Sequence, residues 1–241
     1  MTLGTEAFVQ SFRAEGFGVV SSAIDPDTAL SLSQCLTALL GPAPHPPPPQ
    51  RLVPRIVERD ERFAELAEAR PLLQILDSVF GTAPRLICSY GHEKAAGTAS
   101  HTGIHSDVAH LPGVPHHLST LMVKVMYALT PVGSSDGPTV VYPGTHRLPP
   151  EQTADATTAH QVQLDAGDLL LFHANIKHSA TANIGTRARL SMWSVYALPW
   201  MRVFTGYEFD AAYLDERQAR STTEPRLADL YGLRDPYATV R

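Results

Sequence analysis

After Pro84 the sequence changes from helical periodicity to a succession of short β-rich segments, and this change constrains the fold more than any other feature. No helical segment separates these stretches, whereas parallel strands need crossover connections that are usually helices. We therefore predict an antiparallel core, built as a sandwich, jelly roll or barrel. The β-rich segments, divided by turns rich in Gly, Pro, Asn and Asp, are RLICSY, STLMVKVMYALT, TVVYP, HQVQL, DLLLFH and ARLSMWSVYAL.

The N-terminal third predicts helices. Residues 5–15 and 26–40 have apolar residues at helical spacing, and the second stretch begins after Asp25, a good N-cap, and ends at Gly41. A further helix is expected through residues 60–81, interrupted near Pro71. Between them, GPAPHPPPPQ is typical of an irregular or extended surface loop.

We expect a single domain in three parts. Supporting helices occupy about residues 1–83, the β core about 84–200, and a more polar tail 201–241, in which AAYLDERQAR is a candidate helix. The length of 241 residues is compatible with one unit, because barrels and sandwiches of this size often form a single domain.

Composition excludes several classes of partner. With 44% hydrophobic and 18% charged residues, the chain is typical of a soluble globular protein. A net charge of -5 without a Lys or Arg cluster argues against nucleic acid, and no apolar run reaches the length of a membrane helix. The N-terminus MTLGTEAFVQSFRAEGFGVV lacks the pattern of a signal peptide, so a cytoplasmic location is expected. Cys35 and Cys88 have no metal-binding or disulfide spacing. A small-molecule partner is the remaining expectation; the sequence predicts no oligomeric state.

The stretch TGIHSDVAH contains a candidate metal site. In a strand, residues two apart point to the same face, so His105 and Asp107 can direct an imidazole and a carboxylate at one point. A single His-x-Asp pair is common by chance. A third ligand from a distant strand is therefore required, and His173 and His178 are both candidates because they follow the apolar strand DLLLFH.

Two histidines and one carboxylate on one face of a metal are the ligands of non-heme Fe(II) oxygenases. Arg189 opens the next predicted strand, and Ser191 shares its face. An arginine in this position is suited to hold the carboxylate of a 2-oxoacid in a bidentate fork. Arg187 has the same strand parity, so periodicity does not separate it from Arg189.

Several of these segments together resemble the phytanoyl-CoA dioxygenase family of Fe(II)/2-oxoglutarate oxygenases. They are HTGIHSD, YALTP with DGPTVVYPGTHR, and GDLLLFHANIKHSATANIGTRARLSMW, with FRAEGFGVV resembling the family's opening helix and strand. The resemblance covers most of residues 5–200. It implies an all-β core with flanking helices, folded as a double-stranded β-helix, the cupin-like jelly roll. The family's iron ligands match His105, Asp107 and His178, its 2-oxoglutarate arginine matches Arg189, and the polar residue that accompanies this arginine matches Ser191.

The resemblance also implies the chemistry. Iron(II), 2-oxoglutarate and dioxygen are the expected cofactor and co-substrates, with ascorbate as a supporting reductant, and succinate and CO2 are released. Halogenating relatives carry a small residue in place of the carboxylate ligand, so Asp107 favours hydroxylation. Desaturation, epoxidation and ring formation remain open. The segments expected around the pocket, GHEKAAGTASHTG, AHLPGVPHHLS and the tail, include no arginine in the first two. This favours a small metabolite, as in specialised metabolism, over a CoA thioester.

Two other functional hypotheses stay open. One is a metal-binding cupin-like jelly roll without oxygenase activity, which would not need a buried arginine. The other is a serine hydrolase, because GSSDG has the Gly-x-Ser-x-Gly pattern at Ser135, followed by Asp168 and His178. A nucleophile elbow requires a helix after the serine, whereas a strand-like TVVY follows here.

The sequence also leads to separate interpretations of several single residues. Lys124 lies in an apolar strand and either points into the pocket or lies exposed. His173 is interpreted as a neighbour of the ligands and not as a ligand. The histidines interpreted as loop residues are His101, His110, His116 and His117.

Overall fold

Antiparallel strands form two sheets in the computed structural model, which describes residues 3–99, 102–108, 119–149 and 151–234. The strands of these ranges are β1 Phe17–Val20, β2 Gln50–Pro54, β3 Arg85–Lys94, β4 Thr102–His105, β5 Met122–Ala128, β6 Thr139–Val141, β7 His160–Val162, β8 Leu169–His173, β9 His178–Ala180 and β10 Arg189–Ala197. The large sheet has the order β1-β8-β5-β10-β3-β2, and the small sheet has the order β4-β9-β6-β7. The predicted antiparallel core is confirmed.

Helices flank this core. They are α1 Leu3–Glu15, α2 Pro26–Leu40, α3 Glu61–Ala67, α4 Arg70–Phe80, α5 Ala211–Arg220 and α6 Arg226–Leu230. The predicted cap of α2 is present, since Asp25 accepts a hydrogen bond from the Thr28 amide at 2.9 Å. The predicted interruption falls between α3 and α4, and Pro71 lies in the first turn of α4. None of the helices in the described ranges is long and apolar enough to cross a membrane.

The large sheet is buried on both faces. On β5, Val123, Val125 and Tyr127 pack against the helices, whereas Met126 and Ala128 pack towards the small sheet. The strand β10 alternates in the same way: Leu190 and Met192 belong to the helix side, and Trp193 and Val195 to the inner side. This double burial explains why these strands read as nearly continuous apolar runs. The helices therefore support the larger sheet, as predicted.

Two strands were not predicted. The strand β2 forms the edge of the large sheet, and Leu52 on it remains half exposed. An edge strand tolerates Pro54, which has no backbone N–H to donate to a neighbouring strand. The strand β9 has three residues and only gains its conformation by pairing with β4 and β6. Together with β1, the strand β2 shows that the N-terminal segment, expected to be a helical support, also contributes to the sheet. The predicted division of the chain into parts remains a prediction.

One part of the C-terminal segment packs on the helical side of the molecule, and another part lines the central cavity. The helix AAYLDERQAR is confirmed as α5, and Arg217 on it pairs with Glu61 at 2.7 Å and Glu68 at 2.9 Å on the helical side of the molecule. In the described part of this segment, the residues that line the central cavity are Phe204, Thr205 and Tyr207. The expectation that the tail lines the pocket therefore applies to these residues and not to α5.

Candidate metal centre and the cavity beside it

His105 and His178 are direct partners across two antiparallel strands. His105 ends β4 and lies opposite His178, the first residue of β9, so their ring centroids are 4.2 Å apart. Asp107 lies in a turn just after β4, where its amide donates to the Ala174 carbonyl at 3.0 Å. Sequence reasoning expected His105 and Asp107 on one strand face. The strand ends too early for that, and the turn brings the carboxylate to the histidines.

The three side chains present donor atoms to one point. Candidate ligand atoms of His105, Asp107 and His178 all lie within 4.8 Å of one another. The Asp107 oxygens are 3.8 Å from His105 Nε2 and 3.7 Å from His178 Nε2. Neighbouring ligands bound at about 2.1 Å to one octahedral metal are about 3 Å apart, so a small inward movement would complete the site. Within the described ranges, no other group of three such residues converges.

Both imidazoles are held with Nε2 free for a metal. His105 Nδ1 lies 2.9 Å from the carbonyl oxygen of Gly103, and His178 Nδ1 lies 3.0 Å from that of Ile176. A carbonyl oxygen only accepts, so each Nδ1 is the donor and Nε2 is the nitrogen left to offer its lone pair to a metal. This backbone contact is the usual way in which a ligating histidine is oriented.

Electrostatics keeps His178 and Asp107 in the states that bind a cation. Burial lowers the pKa of His178 to about 4, although Asp107 opposes the shift. Burial alone would raise the pKa of Asp107, but Lys124, His178 and His105 together bring it below its usual value. Asp107 Oδ2 is buried and receives no hydrogen bond in the described part of the chain. A neutral imidazole at His178 and an ionised carboxylate at Asp107 fit a divalent metal.

Lys124 points into the cavity and not to the surface. Its ammonium lies 3.2 Å from Asp107 Oδ2 and donates to Oδ1 at 3.3 Å. It also faces the rings of Trp193 and Phe172, at 5.1 and 5.5 Å from their centroids. The two alternatives that the sequence left open for this residue are thereby resolved.

Arg189 and Arg187 differ in burial. Arg189 is 3% exposed and lines the cavity, whereas the Arg187 side chain is 62% exposed and lies 3.7 Å from Asp136. One Nη of Arg189 donates to the Gly137 carbonyl, but its Nε is buried without a hydrogen-bond partner among the described residues. Burial lowers the pKa of Arg189 to about 10, which leaves it charged at neutral pH. A buried guanidinium with an unused donor is suited to bind an anion.

Two neighbours of Arg189 complete this end of the site. Ser191 is fully buried on the same strand face, and its Oγ accepts a hydrogen bond from the Trp193 indole at 3.0 Å without lining the cavity. Lys94 lies opposite Arg189 in the register of β3 and β10 and donates to the Thr181 carbonyl. Burial and the charge of Arg189 lower the pKa of Lys94 to about 8. Sequence reasoning overlooked Lys94, because the predicted strand RLICSY ends at Tyr90 whereas β3 continues to Lys94.

The metal donors and Arg189 share one cavity. Its volume is about 610 Å³, within the usual range for small-molecule sites. Gly137, between the two sheets, leaves room for the Lys94 side chain. A Cβ added at Gly137 would lie 3.0 Å from two carbon atoms of that side chain. Away from Arg189 the wall is mainly apolar, and its residues include Leu52, Cys88, Tyr90, Met122, Val195, Phe204 and Tyr207.

The remaining histidines lie elsewhere or outside the described residues. His173 Nδ1 accepts from the Asn175 amide at 3.0 Å, and its ring packs on His146 at 5.2 Å. It is not part of the converging group, which favours His178 over His173. The histidines of the predicted loops that fall outside the described residues are His101, His110, His116 and His117.

The hydrolase arrangement is absent from the described chain. Ser135 is exposed in a turn between β5 and β6, and no helix follows it. Asp168 accepts from the amides of Ser22 and Asp165, and His178 Nδ1 faces a backbone carbonyl. Asp168 therefore does not orient His178.

The fold and the donor set define a two-sheet protein with a His-Asp-His centre facing a buried arginine. The profile of the Phytanoyl-CoA dioxygenase (PhyH) family matches residues 50–191, more than half of the chain, a range that includes the three converging residues and Arg189. The protein belongs to that family, as the sequence resemblance predicted.

Solved structures share the fold. The α-ketoglutarate-dependent epimerase SnoN from nogalamycin biosynthesis aligns with a TM-score of 0.69 at 22% identity, covering 81% of this chain and 84% of SnoN. HygX from Streptomyces hygroscopicus, with nickel and 2-oxoglutarate bound, aligns at 0.69 and 20% identity, covering 85% and 90%. The carbocyclase SnoK aligns at 0.67 and 19% identity, covering 80% and 84%. The predicted jelly roll is confirmed.

Curated relatives match a shorter stretch. The uncharacterized proteins Rv1501 of Mycobacterium tuberculosis and Mb1539 of Mycobacterium bovis are each 35% identical to this chain over 72 residues. The match covers 29% of this chain and about a quarter (26%) of each mycobacterial protein.

Proposed function

We propose that this protein is an iron(II)- and 2-oxoglutarate-dependent oxygenase that hydroxylates a small metabolite and releases succinate and CO2. One observation carries the proposal: the cavity that holds the converging donors of His105, Asp107 and His178 also holds a buried arginine with an unused donor. A metal-binding jelly roll without oxygenase activity has no need of Arg189.

Each residue of the site has a separate proposed role. His105, Asp107 and His178 would hold the iron, which with 2-oxoglutarate and dioxygen supplies the oxidising power for C–H cleavage. Arg189 would bind the distal carboxylate of 2-oxoglutarate through its free donors. The apolar wall would exclude water from the reacting atoms. We also propose that Ser191 contacts the co-substrate by donating the proton of its hydroxyl group.

The cavity supports a small and largely uncharged substrate. Among the described lining residues, Lys124 and Asp107 pair with each other, and Arg189 is assigned to the co-substrate. The wall left for the substrate includes Leu52, Phe204 and Tyr207. Related structures contain nogalamycin RO in SnoN and hygromycin B in HygX, which supports a specialised metabolite. Hydroxylation is the proposed outcome, and a cytoplasmic location stays a prediction.

Anaerobic titration of the Fe(II)-loaded protein with 2-oxoglutarate tests the proposal directly. We expect a metal-to-ligand charge-transfer band and, after admission of air with candidate substrates and ascorbate, succinate release and a product heavier by one oxygen atom. Metal binding without this band would favour the jelly roll that lacks oxygenase activity. Succinate release with a product of unchanged or lower mass would replace hydroxylation by epimerisation, ring closure or desaturation.

A further inference from the structure

A lysine at the centre of a cation site is unexpected. The Lys124 side chain leaves the middle of β5, is enclosed by Phe172 and Trp193, and reaches the Asp107 carboxylate. Burying an ammonium costs free energy unless it is paired, and here its pairing partner is a candidate metal ligand. A metal ion and Lys124 therefore share one carboxylate.

The ammonium of Lys124 contacts both oxygens of that carboxylate. It donates a hydrogen bond to Oδ1 at 3.3 Å and lies 3.2 Å from Oδ2. Oδ1 lies 3.8 Å from Nε2 of His105, and Oδ2 lies 3.7 Å from Nε2 of His178. The ammonium therefore holds the carboxylate beside the two imidazoles, and it would compete with a metal ion for the same oxygens.

We propose that Lys124 is a positioning residue of the metal centre, which holds the Asp107 carboxylate beside the two histidines and supplies a positive charge for the carboxylate of bound 2-oxoglutarate. This inference rests on the function proposed above. Lys124 and the donors line the same cavity as Arg189. Two cations would then serve the co-substrate, Arg189 at its distal carboxylate and Lys124 beside the metal.

The charge of Lys124 has opposite effects on the two ligands. It repels a divalent cation and competes for Asp107, so its removal should not weaken metal binding. It attracts the dianion 2-oxoglutarate, so its removal should weaken co-substrate binding. A lysine that only filled space would affect both affinities in the same direction, because its loss would loosen the whole site.

The experiment measures both affinities in Lys124→Met. Calorimetry with Co(II) or Mn(II) should give a metal affinity that is unchanged or up to about tenfold tighter. Titration of 2-oxoglutarate into the metal-loaded variant should give an affinity about tenfold weaker or more, the usual worth of a hydrogen bond to a charged group. Lys124→Arg restores the charge and should recover part of this loss.

Matched variants separate charge from packing. Met126→Leu changes the next inward side chain of β5, which packs in the inner core away from the cavity, and both affinities should stay within about threefold of wild type. Lys124→Gln keeps a hydrogen-bond donor without the charge, and it carries the same test if circular dichroism shows that Lys124→Met does not fold.

The outcomes distinguish this inference from the proposed function. A loss of metal affinity parallel to the loss of 2-oxoglutarate affinity in a folded variant overturns it, and so does an unchanged 2-oxoglutarate affinity. If the wild-type metal-loaded protein itself binds no 2-oxoglutarate, the proposed function fails. In that case the metal titration alone tests the role of Lys124, and weaker metal binding in Lys124→Met refutes the positioning role.

Discussion

At the scale of single residues, the assignment of the third metal ligand is the first claim to test. His178→Ala removes a donor from the converging group and should weaken Co(II) affinity by more than about a hundredfold, beyond the effect of residues that only support ligands. His105→Ala should behave alike. The effect is measured by calorimetry on variants whose circular dichroism matches wild type.

His173→Gln is the control for this prediction, because His173 packs on His146 outside the donor group. Its metal affinity should remain within about tenfold of wild type. Retained binding in His178→Ala together with lost binding in His173→Gln would reverse the assignment.

A second prediction at this scale concerns the buried arginine. Arg189→Ala removes one partner of a desolvated charge pair, an effect of about 2–5 kcal/mol, so 2-oxoglutarate should bind roughly thirtyfold to several thousandfold more weakly. Metal affinity should hardly change. The charge-transfer titration of the anaerobic Fe(II) protein measures both.

Arg187→Ala is the natural comparison, since its side chain lies on the surface two residues away. It should leave the 2-oxoglutarate titration unaltered. Equal losses in both arginine variants would mean that general charge and not the buried guanidinium governs binding.

The metal donors and the arginine that spacing and family resemblance assign to this site lie around one cavity, but the sequence did not predict how they meet. His105, Asp107 and His178 converge, and Arg189 is the buried arginine of the pair. Strand parity placed Asp107 wrongly, because the end of β4 depends on pairing with β9, which leaves no periodic signal. The inward direction of Lys124 likewise depends on the sheet that faces it.

At the scale of elements, the turn before β8 is a point of close approach. Gly167 has φ of 96°, and a Cβ at this position would overlap the carbonyl oxygen of Ile24, just before α2. Gly167→Ala should therefore lower the free energy of unfolding by about 3 kcal/mol or more, because left-handed strain and backbone displacement add. Urea denaturation measures the change.

Gly81→Ala isolates the strain alone. Gly81 caps α4 with φ of 72°, and nothing lies within 4 Å of a Cβ there, so the cost should be about 1–2 kcal/mol. Similar losses in the two variants would show that the contact between the turn and Ile24 carries no weight.

Which elements could be predicted follows from what stabilises them. The helix α2 and the strands β5, β8 and β10 carry caps or apolar runs in their own sequence. The strands β2 and β9 are short and partly polar, and they exist through hydrogen bonds to neighbours that are distant in sequence. The residues of these two strands alone therefore do not predict which strands they pair with.

At the scale of the whole molecule, buried ion pairs join the C-terminal helices to the N-terminal ones. Arg217 is fully buried, pairs with Glu61 and Glu68, and faces the Tyr213 ring at 4.4 Å. Arg217→Met leaves Glu68 with Arg220 as its remaining cation. We expect a loss of about 3 kcal/mol in unfolding free energy and faster hydrogen exchange in α5 and α6, with unchanged metal affinity.

Arg234→Met breaks an exposed pair with Asp229 instead and should change stability little. A drop in metal affinity in Arg217→Met would show that the two sides of the large sheet are coupled more closely than their separate cores suggest.

The alternation along β10 separates two kinds of change open to this protein over evolutionary time. Substitutions at Leu190 or Met192 alter the packing of helices on the sheet, whereas substitutions at Trp193 or Val195 alter the chamber on the other side. The odd positions of this strand can thus change the shape of the cavity side while the even positions keep the packing of the helices.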